Sequence, residues 1–203
     1  MILTTAEMDS PVGRLAIHVR DGRLCGLSFE DGVASTMKHL RARFGDFSVE
    51  RGKEAAGIVS RLRAYFGGDL AALDDIEVDT GGTPFQQAVW KGLRKIPVGK
   101  TMSYGELARR IRRPSAVRAV GAANGANPVA IVIPCHRVIG SDRSLTGYGG
   151  GLDRKRWLLR HEGMNVEGAG RAGAASRVER GRGRRDAAAG PGVRIRHATL
   201  RAL

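Results

Sequence analysis

The chain is short of the residues that covalent staples and membranes require. It holds two cysteines, Cys25 and Cys135, far apart in sequence. They make no Cys-x-x-Cys pair and no four-ligand zinc set, and a reducing compartment disfavours a disulfide between them. No apolar run reaches the roughly 18 residues of a membrane span. The start, Met1-Ile2-Leu3-Thr4-Thr5, lacks both a charged leader and a long apolar stretch, so no signal peptide is expected. Acidic side chains are scarce too, 20 against 34 lysines and arginines, which leaves a formal net charge of +14. The expectation is a soluble, cytoplasmic protein whose partner is a polyanion, nucleic acid before membrane.

What is present suffices for a core. With 42% hydrophobic residues, the 203-residue chain can build one large or two small domains. Leu15, Ile17 and Val19 alternate, Asp21-Gly22 is a hairpin signal, and Cys25, Leu27 and Phe29 alternate again, which reads Cys25 as a core residue. Helices are expected from about Ser35 to Phe44, stopped by Gly45, and from about Glu54 to Phe66, with Ile58, Leu62, Tyr65 and Phe66 on one side. This is a small α/β unit with no visible chemistry.

From Thr83 the texture changes. Thr83-Pro84-Phe85-Gln86 is a capping box with proline at the first helical position, followed by an apolar stripe of Phe85, Val89, Leu93 and Ile96 that reads as a core helix. Ser103-Tyr104-Gly105-Glu106 is a second box, opening a helix that carries Leu107 and Ile111. Arg112-Arg113-Pro114 breaks the chain, and Ser115 is expected to cap a third helix ending near Asn124-Gly125. Two short helices across a tight turn are the layout of a helix-turn-helix and also of an ordinary structural hairpin; Arg113 and Arg118 favour the former. The helix from Ser115 to Asn124 is built almost wholly of small side chains, leaving Arg118 as its one long projecting group. Small residues suit a close helix crossing, and they equally suit an arginine wedge against a nucleic acid.

The segment Ile131-Val132-Ile133-Pro134-Cys135-His136-Arg137-Val138 sets a thiol beside an imidazole and a guanidinium, after an apolar run that reads as a strand ended by proline. Those neighbours would favour a nucleophilic thiolate at the mouth of a pocket. A cysteine among apolar residues is also an ordinary small core residue, and neighbours on an extended chain face opposite ways, so His136 helps Cys135 only through a turn or a water. A glycine-rich loop, 141–151, either cradles a ligand or simply connects. A last helix from about Asp153 to His161 turns Leu152, Leu158 and Leu159 inward, with Gly163 as its stop. Residues 167–203 carry nine arginines and three acids in a Gly/Ala-rich background and read as a disordered basic tail.

Taken in order, Thr101-Met102-Ser103-Tyr104-Gly105-Glu106-Leu107-Ala108, Arg118-Ala119-Val120-Gly121, Asn127-Pro128, Pro134-Cys135-His136-Arg137-Val138 and His161-Glu162-Gly163 closely resemble the O6-alkylguanine-DNA alkyltransferases. The strong likeness covers residues 83–165. The resemblance implies an α/β ribonuclease-H-like N-terminal domain over 1–80, matched only in outline, and a mainly α winged-helix, helix-turn-helix domain over 81–166. It implies single-turnover transfer of an alkyl group from O6-alkylguanine, with O4-alkylthymine as a possible second substrate, in double-stranded DNA to Cys135. His136 would be the base, acting through a water, and Glu162 its orienting carboxylate. Tyr104 and a backbone N–H near Gly149 would stabilise charge on the purine. The carbonyls of Cys135 and Val138 would accept from the exocyclic amine, with Asn127, Tyr148 and Ala130 completing the pocket. Ala130 hints at a roomy site. The base must be flipped out, and Ser115, Arg118, Ala119, Ala123 and Asn124 would meet the minor groove, Arg118 filling the vacated stack. No cofactor and no metal are implied, and the protein would act as a monomer. The rival reading is a lesion-binding protein of the same fold that transfers nothing; in such relatives the acceptor cysteine is replaced, and Cys135 is present.

Overall fold

The Asp21-Gly22 hairpin forms as expected: both residues take positive φ, 49° and 78°, the left-handed pair a two-residue hairpin needs. It joins strand β2 (Leu15–Arg20) to β3 (Arg23–Phe29). In this computed structural model, which describes residues 1–166, β1 (Ile2–Met8) and β4 (Ser48–Arg51) complete a mixed four-stranded sheet of order β3-β2-β1-β4, with β1 and β4 parallel. Expectations about the tail, 167–203, lie outside the described residues.

Helix α1 (Val33–Phe44) covers one face of the sheet, where Leu40 packs with Leu3 and Cys25. Cys25 is therefore core, but not on the face of Leu27 and Phe29 as strict alternation implies. The register shifts between His18 and Val19, with Val19 opposite Leu24 and His18 opposite Gly26, so Cys25 is the extra residue of a bulge. Helix α2 (Ile58–Phe66) starts four residues later than Glu54, because Ala55, Ala56 and Gly57 all take positive φ, a conformation no α-helix continues.

The second half is built around α3 (Pro84–Arg94), α4 (Tyr104–Arg110) and α5 (Val117–Gly125). Both expected capping boxes are made, Thr83 with Gln86 and Ser103 with Glu106. Ser115 does not cap α5: Ala116 holds that position without a side-chain bond. The helices pack closely, since a methyl group on Gly92 of α3 would sit 2.9 Å from Leu107 of α4. A minimal parallel pair, β5 (Met102–Ser103) with β6 (Val138–Ile139), ties the start of α4 to the segment after Cys135. Helix α6 (Leu152–His161) closes the described chain with Leu158 and Leu159 inward; Leu152, at its first position, is exposed instead.

One apolar cluster runs through both halves. Leu15, Ile17, Leu27 and Phe29 of the sheet and Leu62 and Tyr65 of α2 share it with Val89, Leu93, Leu107, Val120 and Val138. The free edge of β3 receives the later chain at two places: Leu24 bonds around Val78, and Leu27 donates to the Pro128 carbonyl and accepts from Ala130 N–H at 2.9 and 2.8 Å.

Candidate active site

Two tight turns deliver the thiol. The Val132 N–H bonds back to the Ala130 carbonyl across Ile131, which takes φ 68°, and the Cys135 N–H to the Ile133 carbonyl across Pro134 at φ −80°, ψ 65°. The second is an inverse γ-turn. The apolar run 131–133 is thus not the strand its composition suggests. Its backbone is claimed elsewhere: the chain meets the sheet edge only around Val129, and the Asn127 side chain donates to the Ile133 carbonyl at 2.8 Å while accepting from Val129 N–H at 3.0 Å. A β-branched residue at positive φ costs on the order of 1–3 kcal/mol, and these bonds hold it there.

Cys135–Arg137 is one 3-10 turn, so the backbone does turn between thiol and imidazole. His136 is fully buried, its Nε2 2.9 Å from Glu162 Oε1. Arg137 grips both carboxylate oxygens of Glu162, Nε to Oε2 and Nη2 to Oε1 at 2.8 Å each, and donates to the Ile96 carbonyl at 2.6 Å. Tyr65 donates its hydroxyl to Glu162 Oε1 at 2.9 Å. Burial alone would raise the Glu162 carboxyl, but the hydrogen bonds and charges of His136 and Arg137 outweigh it and hold the group at about 2. An ionised carboxylate accepts, so the His136 proton sits on Nε2 and the lone pair on Nδ1, a buried nitrogen with no bond among the described residues. Burial also lowers the imidazole below its usual range, leaving a neutral ring able to take a proton.

The thiol itself departs from expectation. Burial pushes Cys135 up, against the opposing pull of a 3.2 Å hydrogen bond from Asn127 Nδ2 and the charge of Lys155. Arg137 is spent on Glu162, so the nearby cation is Lys155, and the resting group is a thiol that needs a base. Lys155 is wholly buried, donates to the Val138 and Thr146 carbonyls at 2.6 Å each, and is pulled down to about 8 by burial. Sequence reading missed it and Tyr65. A signal existed for the lysine: 155, 158, 159 and 162 follow the inward helical stripe, so Lys155 shares a face with two core leucines and Glu162. Tyr65 reads simply as core.

Cys135 opens on a cavity of about 470 Å³. Tyr104, Asn124, Asn127, Ala130, Tyr148 and Gly149 line it with Cys135, and Ser28, Phe29, Asp31 and Thr36 line it from the first half of the chain. The first half, read as carrying no chemistry, thus builds one side of the pocket. Arg154 fastens that side: it donates to the Val12 and Gly150 carbonyls, pairs with Asp31 and lies 4.6 Å over the Phe29 ring. Burial raises the Tyr104 phenol, so it keeps its proton as a donor. Val138 does not line the cavity, its carbonyl facing Lys155. On α5, Ser115 before it and Arg118 and Ala119 within it are exposed. Ala123 and Asn124 are not on that face: both are buried, Ala123 accepting from the Trp90 indole at 2.9 Å and Asn124 in the pocket wall. Among the described residues no group of three or more His, Cys, Asp or Glu side chains could hold a metal ion.

Residues 84–164 match the family described as 6-O-methylguanine DNA methyltransferase, DNA binding domain. A methylated-DNA--protein-cysteine methyltransferase of Salmonella typhimurium is 62% identical over 107 residues, 53% of this chain, which spans 63% of that relative's length. The protein of that name from Shigella flexneri is 60% identical over 164 residues, covering 79% of this chain and 96% of its own. Among solved structures, that of Mycobacterium tuberculosis OGT in complex with DNA aligns with 78% of this chain and 92% of its own, at 44% identity and a TM-score of 0.66.

Proposed function

Since the chain belongs to the 6-O-methylguanine DNA methyltransferase family, we propose that it repairs alkylated DNA by moving the alkyl group of O6-alkylguanine onto Cys135. The observation that carries this is the buried thiol at the floor of a cavity, backed by an imidazole whose free nitrogen lies opposite an ionised carboxylate. His136 takes the thiol proton, through a water, and Glu162 stabilises the imidazolium that forms. The S–C bond forms as the C–O6 bond breaks, and the electron pair passes to the purine. There the Tyr104 hydroxyl and the backbone N–H at Gly149 receive the developing charge. Lys155 supplies the positive charge that favours the thiolate as it appears. The thioether has no leaving group, so each molecule acts once.

The partner is double-stranded DNA. The exposed face of α5, with Ser115 and Ala119 close to the groove and Arg118 as the wedge, suits the minor groove and a flipped base. Residues 81–166 act as the winged-helix domain and 1–80 as a ribonuclease-H-like domain, the protein working as a cytoplasmic monomer. No helix among the described residues is long and apolar enough to cross a membrane. Ala130 and the size of the cavity favour tolerance of groups larger than methyl. Intact mass spectrometry after incubation with an O6-methylguanine duplex tests the reading: one methylene unit per chain is expected, mapped to Cys135 and absent from Cys135→Ser. An unmodified chain that still binds the lesion tightly would instead establish the lesion-binding alternative.

A further inference from the structure

Three polar side-chain atoms that line the cavity are buried without a hydrogen-bond partner among the described residues: Asn124 Oδ1, the Tyr148 hydroxyl and Ser28 Oγ. Asn124 and Tyr148 belong to the half of the chain that carries Cys135. Ser28 does not. It lies on β3, 7% exposed, beside Gly32 at the start of α1. A methyl group on Gly32 would stand 3.4 Å from Ser28 Cβ and, beyond its chain neighbours, near nothing else, so this corner is open. Thr36, also in the cavity wall, brings a second hydroxyl residue to it.

The corner adjoins the side of the cavity where the thiol reacts. Leu27, just before Ser28, accepts from the Ala130 N–H at 2.8 Å, and Phe29, just after it, meets Tyr148 edge-on at 6.1 Å between ring centroids; Ala130 and Tyr148 line the cavity with Cys135. The cavity of about 470 Å³ exceeds one purine, and a methyl group does not fill the remainder. A hydroxyl buried without a partner is uncommon enough to need a reason, and a ligand oxygen supplies one where a hydrocarbon chain would not. We propose that the corner between β3 and α1 receives the transferred group when it is longer than methyl, and that Ser28 favours groups ending in a hydroxyl over hydrocarbon groups of equal length. The inference rests on the alkyltransferase reading above and extends it to the class of lesion. The hydroxyalkyl group moves whole: its bond to the Cys135 sulfur forms as the C–O6 bond breaks, and its hydroxyl takes no part in the chemistry.

The test measures single-turnover transfer from O6-methylguanine, O6-(2-hydroxyethyl)guanine and O6-propylguanine in the same duplex. The two longer groups have the same number of heavy atoms and differ only in a terminal hydroxyl for a methyl. Their intrinsic reactivities differ, so the readout is the hydroxyethyl-to-propyl ratio of the wild-type protein divided by that of Ser28→Ala, in which this difference cancels. The expected quotient is about tenfold, the size of one hydrogen bond in a closed site, and a value below about twofold overturns the inference. Gly32→Ala puts a methyl group into the corner at an ordinary contact distance and tests the location even if Ser28→Ala fails to fold. Both longer groups should then slow by about fivefold relative to methyl, and unchanged relative rates would place them elsewhere and overturn the inference. A wild-type protein that takes methyl but neither longer group overturns it too. If it takes no methyl group at all, the alkyltransferase reading itself falls.

Discussion

Glu162 concentrates more of the site's electrostatics than any other residue. Its carboxyl is held at about 2 instead of 4.5, so the folded state binds its proton less readily than the unfolded chain. That contribution to stability, on the order of 3 kcal/mol, is complete above about pH 4.5 and disappears as pH falls through about 2. His136 adds a loss in the same direction that begins higher: its folded pKa lies below 6.5, so protons favour the unfolded chain as pH drops past that value. Urea titrations from pH 7 to pH 3 should show stability falling steadily, and a flat profile would contradict the buried pair. Tyr65→Phe keeps the ring but removes one donor to the carboxylate; the expected loss is about 1–2 kcal/mol at unchanged m-value in urea. These residues also mark how far single positions could be read. Cys135, His136 and Glu162 were legible because motif order constrains them, whereas Tyr65 looks like a core aromatic until the fold sets it on Glu162, and Lys155 shows itself only by the inward helical stripe it shares with Leu158, Leu159 and Glu162.

Among the elements, the glycine-rich loop makes the sharpest distinction between neighbours. A methyl group at Gly150 would meet the Phe29 ring at 2.5 Å, while nothing lies within 4 Å of one at Gly149. Gly150→Ala should therefore cost about 1–3 kcal/mol and slow transfer, since the loop is wedged away from the wall it seals. Gly149→Ala should stay within about twofold of wild type, because the added methyl group meets nothing; single-turnover rates on free O6-benzylguanine separate the two. On α5, Arg118→Ala should slow repair of duplex DNA far more than reaction with that free base, which has no stack to leave, and equal slowing would rule out the wedge. Elements with capping boxes and turn dipeptides were legible for a physical reason: their signals are local. The run 131–133 was misread because β-branched composition states a preference that Asn127 and the β3 edge override, and the bulge at Cys25 shifts faces without any local marker.

At the scale of the molecule, the shared core makes the first half a working part of the site. A fragment beginning at residue 81 would lose Tyr65, the Phe29 wall and the sheet edge under Pro128, and calorimetry should show no cooperative transition for it. The placement of the two tryptophans has a spectroscopic consequence. Trp90 donates to the last turn of α5, and Trp157 stacks on His161 at 4.9 Å, one residue before Glu162. The chain thus carries two tryptophan fluorophores, one bonded beneath α5 and one behind the His136–Glu162 pair. Emission from Trp90 should follow docking on DNA, and emission from Trp157, isolated in Trp90→Phe, should follow the later methylation, so that encounter and chemistry can be timed separately in one stopped-flow trace without any added dye.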